Sequence, residues 1–318
     1  MSFKQWYFWS GLAMLACNTA TAQSFPSKPL RIVASEAGGG GDFSARVIAQ
    51  GMASTMGQPV IVENKAGGVV AGEFVSKSAP DGYTLLNYGN TFWLLPLMRR
   101  SVPYDPVKDF TPVAMTIRAI TVLVVHPSVP AKSIRELIAV ARARPGDLNY
   151  GSGAAGASNH LAAELFKSMT GTDIVRIPFK GIGSAINALL TGELQVLFPL
   201  MASGMPHVKA GRLRALAITS AQPSELAPGL PTVAASGLPG YVAEGMYGIF
   251  APVKTPAALI VRLNQEIVAV LNKPESKDRF SKSGAEVVGS SSEDMAAAMK
   301  AEIASMGKVI RDANIRDD

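Results

Sequence analysis

Two similar stretches of this 318-residue chain decide its fold. Residues 30–67 read LRIVASEAGGGGDFSARVIAQGMASTMGQPVIVENKAG, and residues 148–181 read LNYGSGAAGASNHLAAELFKSMTGTDIVRIPFKG. Each runs from a short apolar segment through a glycine-rich loop into a segment with helical spacing, and then through a turn into a second apolar segment. Three glycine pairs, each 114 residues apart, mark the correspondence: Gly39 with Gly153, Gly57 with Gly171, and Gly67 with Gly181. A unit of this size that occurs twice predicts two lobes of similar build, because stacked repeats have periods of about 20–50 residues.

Predicted strands and helices alternate around these stretches and on to the end of the chain. This alternation is typical of parallel sheets flanked by helices, so the expected fold class is α/β, with a mainly parallel sheet in each lobe. A strand near residues 245–251 is expected to return to the first lobe, and three helices follow it. The predicted domains are a first lobe of residues 23–124 and 245–318, and a second lobe of residues 125–244.

The N-terminal segment has the pattern of an export signal. Lys4 precedes a mostly apolar run, residues 6–16, and Ala20-Thr21-Ala22 fits the small-x-small site that signal peptidase recognises. The apolar run is shorter than the roughly 20 residues that span a bilayer. We therefore expect a signal peptide of residues 1–22, cleaved near Ala22, and export to the periplasm. The alternative is a lipid anchor on Cys17, the only cysteine of the chain.

Composition argues against several kinds of chemistry. The formal net charge is +6, but Lys and Arg are dispersed and do not form the clusters typical of nucleic-acid binding. The three histidines, His126, His160 and His207, show no ligand spacing, so neither a metal nor another cofactor is expected. The G-x-S-x-G element of serine hydrolases is missing from the sequence. We therefore expect a binding protein that catalyses no reaction.

Both glycine-rich loops follow a predicted strand and open a helix. Residues 38–42 are Gly-Gly-Gly-Gly-Asp, and residues 151–158 are Gly-Ser-Gly-Ala-Ala-Gly-Ala-Ser. In open α/β sheets ligands bind at the carboxyl ends of the strands, where such loops lie. The free N–H groups and partial positive charge of a helix N-terminus attract anions, so two such helices facing one cleft would hold a carboxylate. The alternative is that these are tight turns with Asp42 and Ser158 as N-caps.

Several further segments, spread in order along the chain, carry a family resemblance: residues 25–29, 38–46, 79–86, 103–110, 148–161, 178–181, 209–217 and 230–233. In these segments the chain resembles the Bug-type receptors of tripartite tricarboxylate transporters. The resemblance implies a two-lobe clamshell of the periplasmic-binding-protein type and a periplasmic location. It also implies a small carboxylate ligand and a membrane partner that accepts it. We expect the protein to be a monomer.

The resemblance also implies which residues bind the ligand. The first ligand loop would contain Gly38, Gly39, Gly40 and Asp42, and the second would contain Ser152, Gly153 and Ser158. Further cleft loops would contribute Asn90, Lys180 and Gly181.

Three positions depart from the family pattern, because Gly41, Ala157 and Pro199 stand where polar side chains are usual. An aromatic acid or a dicarboxylate is therefore a candidate ligand, and citrate-like solutes should be disfavoured. Phe92, Trp93 and Tyr247 would supply aromatic faces for such a ligand. The alternative for Phe92 and Trp93 is a place in the core of their helix.

Two functions share this fold and site. The first is the capture of a carboxylate for delivery to the membrane subunits of a tripartite tricarboxylate-type transporter. The second is a receptor whose loaded form docks on a sensor kinase. The sequence does not separate them, because both need the same closed cleft.

Overall fold

The computed structural model describes residues 25–34, 37, 40–65, 68–153, 155–179 and 181–317. Sequence predictions for the leader and for Glu36, Gly38, Gly39, Gly67 and Lys180 lie outside the described residues. Within these ranges, no helix is long and apolar enough to cross a membrane.

The described strands, numbered in chain order, form two sheets. The first sheet contains β1 (Leu30–Ala34), β2 (Val60–Asn64), β3 (Thr84–Gly89), β4 (Phe110–Ala119), β10 (Gly245–Pro252) and β11 (Ala285–Val287). The second contains β5 (Val122–Val125), β6 (Leu148–Ser152), β7 (Ile174–Pro178), β8 (Val196–Leu197) and β9 (Arg214–Ile218).

Helices connect the strands within each sheet. The chain segments of the first sheet carry α1 (Gly40–Met56), α2 (Gly68–Ser76), α3 (Thr91–Met98), α8 (Ala257–Leu271), α9 (Pro274–Lys282) and α10 (Ser292–Asp312). The segment that forms the second sheet carries α4 (Ile134–Ala143), α5 (Ser158–Thr170), α6 (Ile182–Thr191) and α7 (Met201–Lys209). This two-sheet α/β architecture confirms the predicted fold class.

The prediction that both sheets are mainly parallel needs correction. The first sheet has the order β11-β4-β10-β3-β1-β2; β1 pairs parallel with β2 and β3, whereas the pairings β10–β3, β10–β4 and β11–β4 are antiparallel. The second has the order β7-β6-β8-β5-β9, and its pairings with β5 are antiparallel. The reason is the connection between the sheets. The strand that enters each sheet after a crossing, β10 in the first and β5 in the second, runs against the strands of the repeated unit.

The repeated unit itself has the same topology in both sheets. In the first, β1 lies between β2 and β3, and in the second, β6 lies between β7 and β8. Next to this unit lies β10 in one sheet and β5 in the other, and each of them is the first strand after a crossing. The turns after α1 and α5 also correspond, because Gly57 has φ +66° and Gly171 has φ +62°. The two halves of the chain are therefore built on one plan.

Three elements escaped sequence prediction, each for a local reason. Helix α2 is short and mostly apolar, so helical periodicity does not distinguish it from a buried strand. Helix α7 contains Pro206, which is typical of a helix end or a loop. Strand β11 has only three residues, and it is held by antiparallel pairing with β4.

One apolar cluster extends from the first sheet into the second lobe. Helix α10 packs against β4 and also against α5. The cluster includes buried Trp93 of α3, Met299 of α10 and Phe166 of α5. Burial of this surface stabilises the protein by about 25 cal/mol per Å² of apolar area. The two lobes are therefore joined by hydrophobic contact as well as by the crossing strands.

We predict that Gly57→Ala and Gly171→Ala each lower the free energy of unfolding by about 1 kcal/mol, because both glycines have positive φ. An added Cβ at either position meets no atom within 4 Å, so the cost is backbone strain alone. Denaturant unfolding monitored by circular dichroism measures it.

Gly183→Ala is the matched control. Gly183 lies in α6, has no positive φ, and also has open space for a Cβ. This substitution should leave stability unchanged or raise it slightly, since Ala favours a helix over Gly. A similar loss in all three variants would contradict the argument from φ.

Candidate functional site

A cavity of about 220 Å³ lies where the crossings meet the carboxyl ends of the second sheet's strands. Its polar wall is formed by Thr121, Ser158, Asn159 and the ring of Tyr247. Its smaller and apolar wall is formed by Ala119, Gly153, Ala157, Ile182, Phe198 and Leu200. Ala119 and Tyr247 belong to the first sheet, whereas most of the remaining residues belong to the second lobe. Other cavities of 370 and 560 Å³ lie away from these strand ends, beside α8 and α9.

The second glycine loop is held in place by Arg176 of β7, which the sequence analysis did not single out. The Nε atom of Arg176 donates to Ser152 Oγ at 2.7 Å, and its second guanidinium nitrogen donates to Gly153 O at 3.0 Å. Ser152 is completely buried, so its hydroxyl positions the loop and does not face the cavity. Ser152 thus supports the loop, and its contact with a ligand stays a prediction. One signal for this role was present in the sequence. Arg176 is charged, whereas the corresponding residue of the first repeat, Val62, is apolar.

The start of α5 presents its backbone to the cavity. Ala157 is the N-cap residue and makes no side-chain cap, whereas Ser158 is the first helical residue and lines the cavity. The capping alternative for Ser158 is therefore wrong. The His160 N–H donates to Asn159 Oδ1 at 3.0 Å, so the N–H groups of Ser158 and Asn159, together with the partial positive charge of the helix start, are what this helix can offer to an anion.

Tyr247 connects the first glycine loop with this cavity. Gly40 begins α1, and a Cβ placed on it would lie 2.7 Å from the Tyr247 hydroxyl oxygen. A Cβ on Gly89, at the end of β3, would lie 3.2 Å from the same ring. Burial raises the pKa of Tyr247, so its hydroxyl stays neutral and can donate a hydrogen bond to a carboxylate. Gly38 and Gly39, which precede Gly40, lie outside the described residues.

Asp42 is engaged in side-chain contacts at the start of α1. Its carboxylate pairs with Arg46 at 2.9 Å and accepts a hydrogen bond from Asn64 Nδ2 at 2.8 Å. These contacts tie the first turn of α1 to the end of β2. Asp42 is the third residue of α1, so it is not an N-cap either. These contacts give Asp42 a structural role, and its contact with a ligand stays a prediction.

Asn87 of β3 lies beneath the start of α1, and the sequence analysis missed it. Its Nδ2 atom donates to Gly41 O at 2.6 Å, and the residue is completely buried. Among the described residues, Asn87 Oδ1 is the one buried side-chain polar atom without a hydrogen-bond partner. A buried acceptor without a donor costs about 1–3 kcal/mol, so a donor beside the first loop would be favourable. The sequence signal that could have identified Asn87 was a single amide side chain within the mostly apolar strand TLLNYG.

Asn90 faces helix α10 and not the cavity. Its Nδ2 atom donates to Glu302 Oε1 at 2.6 Å and to Glu244 O at 3.2 Å. Trp93 Nε1 donates to the other Glu302 oxygen at 2.8 Å. Asn90 is not among the residues that line this cavity, and its contact with a ligand stays a prediction. This contact joins positions 212 residues apart.

Phe92 and Trp93 belong to the core of their helix. Both are buried, and Phe92 contacts the rings of Tyr104, Phe110 and Phe250. The core alternative is confirmed, and these two rings are unable to contact a solute in the cavity.

The remaining predicted residues lie beside the second loop. Gly181 is the N-cap of α6, next to the cavity residue Ile182, and Lys180 lies outside the described residues. His160 is buried, and its Nδ1 accepts a hydrogen bond from Gly156 N at 3.1 Å. Burial lowers the pKa of His160 to about 4, so the imidazole is neutral at pH 7. It supports the loop from within the lobe.

In the described part of the chain, no three His, Cys, Asp or Glu side chains are grouped in a way that could hold a metal ion. The cavity can supply hydroxyl and amide donors together with the N–H groups of a helix. Groups of this kind can donate hydrogen bonds to an anion.

Two α/β lobes joined by crossing strands, with a donor-lined cavity at the strand ends, define a solute-binding protein of the clamshell class. Residues 44–315 match the sequence profile described as the tripartite tricarboxylate transporter family receptor, and the chain belongs to this family. The protein BugT of Bordetella pertussis is 36% identical over 302 residues, which cover 93% of this chain and 92% of BugT.

Solved structures show the same similarity. An R. palustris protein described with adipate has a TM-score of 0.76 and 34% identity, covering 92% of this chain and 99% of its own. MatC from Rhodopseudomonas palustris, described with bound malate, has a TM-score of 0.73 and 28% identity, covering 90% of this chain and 100% of its own. The resemblance to Bug-type receptors is thereby confirmed.

We predict that Glu302 makes the stability of the protein depend on pH. Burial raises the pKa of its carboxyl from 4.5 to about 7. Below pH 4.5 both folded and unfolded states hold the proton. As the pH rises to 7 the unfolded state releases it first, so this contribution to stability is lost, by roughly 3 kcal/mol. Urea unfolding at pH 5 and pH 8 gives the change in unfolding free energy between these two pH values, for the wild type and for Glu302→Gln.

The glutamine variant should lose this part of the pH dependence, whatever its absolute stability. Glu293→Gln is the matched control, since Glu293 is exposed on the same helix. Equal pH dependence in the wild type and Glu302→Gln would contradict the prediction.

Proposed function

We propose that this protein captures a small carboxylate with an apolar body and delivers it to a membrane partner. The observation that carries the proposal is the cavity lined by Ser158 and Asn159 at the start of α5 and by Tyr247 of the first sheet. None of the described residues that line it is charged, so the donors are neutral groups and a helix terminus. The adipate and malate described with its structural relatives support a carboxylate ligand.

In this proposal one carboxylate binds at the second glycine loop. The N–H groups at the start of α5 and the hydroxyl of Ser158 donate to it from one side, and Tyr247 donates from the other. Gly153 leaves the space that the carboxylate needs, and Gly181 begins the neighbouring helix. Neutral donors in a low-dielectric cleft bind a carboxylate well because charge-assisted hydrogen bonds are about twice as strong as neutral ones.

The apolar wall determines which kind of body the ligand can carry beside its carboxylate. Ile182, Phe198 and Leu200 offer aliphatic and aromatic surface to the body of a solute. A second carboxylate of a linear dicarboxylate would reach toward Gly40 and the preceding Gly38 and Gly39, with Lys180 as a further candidate contact. Citrate-like solutes are disfavoured, because buried polar groups without partners cost about 1–3 kcal/mol each. An aromatic acid remains a candidate ligand. Phe198 and Tyr247 would contact its ring, whereas Phe92 and Trp93 would not.

The domain boundaries and the partner belong to the same proposal. The lobes would be residues 23–124 with 245–318, and residues 125–244, following the two sheets. After removal of residues 1–22 the monomer would act in the periplasm and deliver its ligand to the membrane subunits of a tripartite tricarboxylate-type transporter. The family description supports transport. The alternative partner, a sensor kinase, would use the same closed cleft.

The direct test is a ligand panel on the purified mature chain. Thermal shift with adipate, succinate, malate, benzoate, terephthalate and citrate should single out a linear or aromatic acid, since a ligand at 100 times its Kd adds about 2.7 kcal/mol of stability. Stabilisation by citrate alone, or by none of the acids, would count against the proposal.

We predict that Gly153→Val abolishes binding of the best acid from this panel and leaves the fold intact. Gly153 has no positive φ, and an added Cβ meets no protein atom within 4 Å. The valine methyl groups would therefore extend into the ligand space without disturbing the protein. Calorimetry should show at least a hundredfold weaker binding, with unchanged circular dichroism. Gly183→Val, an equivalent change outside the cavity, is the control, and equal affinity in both variants would remove the second loop from the site.

We predict that Tyr247→Phe weakens binding of the same acid about tenfold, because one hydrogen bond to a charged group contributes about 1.5–3 kcal/mol. The ring still fills its place against Gly40 and Gly89, so the melting temperature of the free protein should not fall. Tyr104→Phe is the control, because its hydroxyl donates to Phe92 O inside the core. Affinity that is unchanged in Tyr247→Phe would show that this hydroxyl does not contact the ligand.

A further inference from the structure

A second cavity, of 540 Å³, lies on the other side of the second glycine loop. Its walls include His160, Lys167 and Arg176 from the second lobe, and Asn314 and Arg316 from the segment after α10. None of these residues lines the cavity of the proposed carboxylate site. The two cavities therefore lie on opposite faces of one loop.

The charge of this second cavity is mainly positive. Lys167, Arg176 and Arg316 line it together with one carboxylate, Glu164. That carboxylate is already neutralised, because it pairs with Lys167 at 2.8 Å and accepts a hydrogen bond from the Tyr150 hydroxyl at 2.5 Å. The charges of Arg176 and Arg316 thus remain without a carboxylate on the described residues.

The two arginines differ in the hydrogen bonds that they already make. Arg176 uses two nitrogens for Ser152 and Gly153 O, and neither partner carries a negative charge. Arg316 is exposed and takes part in no ion pair or hydrogen bond within the described part of the chain. An anion in the cavity would therefore meet guanidinium groups that have no competing carboxylate.

His160 adds a neutral donor to the same wall. Its Nδ1 accepts a hydrogen bond from Gly156 N, so the proton of the neutral ring is on Nε2. The Nε2–H group is thus available to an acceptor. A cavity with donors from an imidazole, two arginines and a lysine suits a ligand with several anionic oxygens.

We propose that this cavity is a second binding site, for a small polyanion that carries phosphate or carboxylate groups. The volume of 540 Å³ is in the usual range for small-molecule sites, about 300–1,000 Å³. The polyanion would contact α5 and β7 of one lobe and the segment after α10 of the other. It would act on the same loop that contributes Gly153 to the first site, because Arg176 holds that loop.

The test uses pyrophosphate and citrate as probes on the mature chain, by calorimetry at low ionic strength, where charge interactions are least screened. We expect one pyrophosphate per chain. Arg316→Ala should weaken its binding about tenfold, since the loss of one charge-assisted contact is at least 1.4 kcal/mol. Arg316→Glu should weaken it further. The citrate arm shows whether carboxylate groups are accepted in the same way as phosphate groups.

Two controls separate this site from the first one. Arg311→Ala removes an equal charge from the exposed face of α10, outside the cavity, and should leave the affinity for the probe unchanged. Ser158→Ala alters the first site and should also leave it unchanged. The proposal is overturned if neither probe binds, if Arg311→Ala weakens binding as much as Arg316→Ala, or if only Ser158→Ala weakens it. The last of these outcomes would assign the probe to the first site, and the other two leave open whether an acid binds at Gly153.

Discussion

The pairing of Thr121 with Thr219 is the contact on which the arrangement of the two lobes depends. Both residues are buried at the points where the chain crosses between the sheets, and their hydroxyls lie 2.7 Å apart. The Thr219 N–H also donates to Thr121 O at 3.0 Å. Buried polar groups need such partners, so the two crossings are held side by side. This places β4 and β10 of one lobe next to the loops of the other.

The site follows from this placement. Because β10 starts at the crossing, Tyr247 stands between Gly40 of the first lobe and the cavity of the second. The glycine loops themselves are fixed from behind, the second by Arg176 and the first turn of α1 by Arg46 and Asn64. Arg176 therefore holds the backbone of the second loop, whereas the described residues that line the cavity are uncharged. This division keeps the cavity free of fixed charge while still offering a helix N-terminus to an anion.

The C-terminal helix is the second connection between the lobes. Helix α10 packs on α5 through a shared apolar cluster, and its Glu302 binds Asn90 and Trp93 of α3. A movement that separates the lobes has to change these contacts or pivot around them. The cavity bounded by Arg176 and Arg316 lies at the same junction, so an anion there would act on both the junction and the second loop.

The sequence by itself determined the two-lobe plan and most helices and strands, and it predicted a site at the second glycine loop, where Gly153 and Ser158 line a cavity. These features are local, because periodicity and glycine turns are read within windows of a few residues. Only the tertiary structure decided the antiparallel crossing strands and the partners of Asp42, Asn90 and Ser152. It also revealed the roles of Arg176 and Asn87. A polar side chain takes whichever partner the fold brings to it, and Asn90 meets Glu302 across 212 residues of chain, which no local pattern encodes.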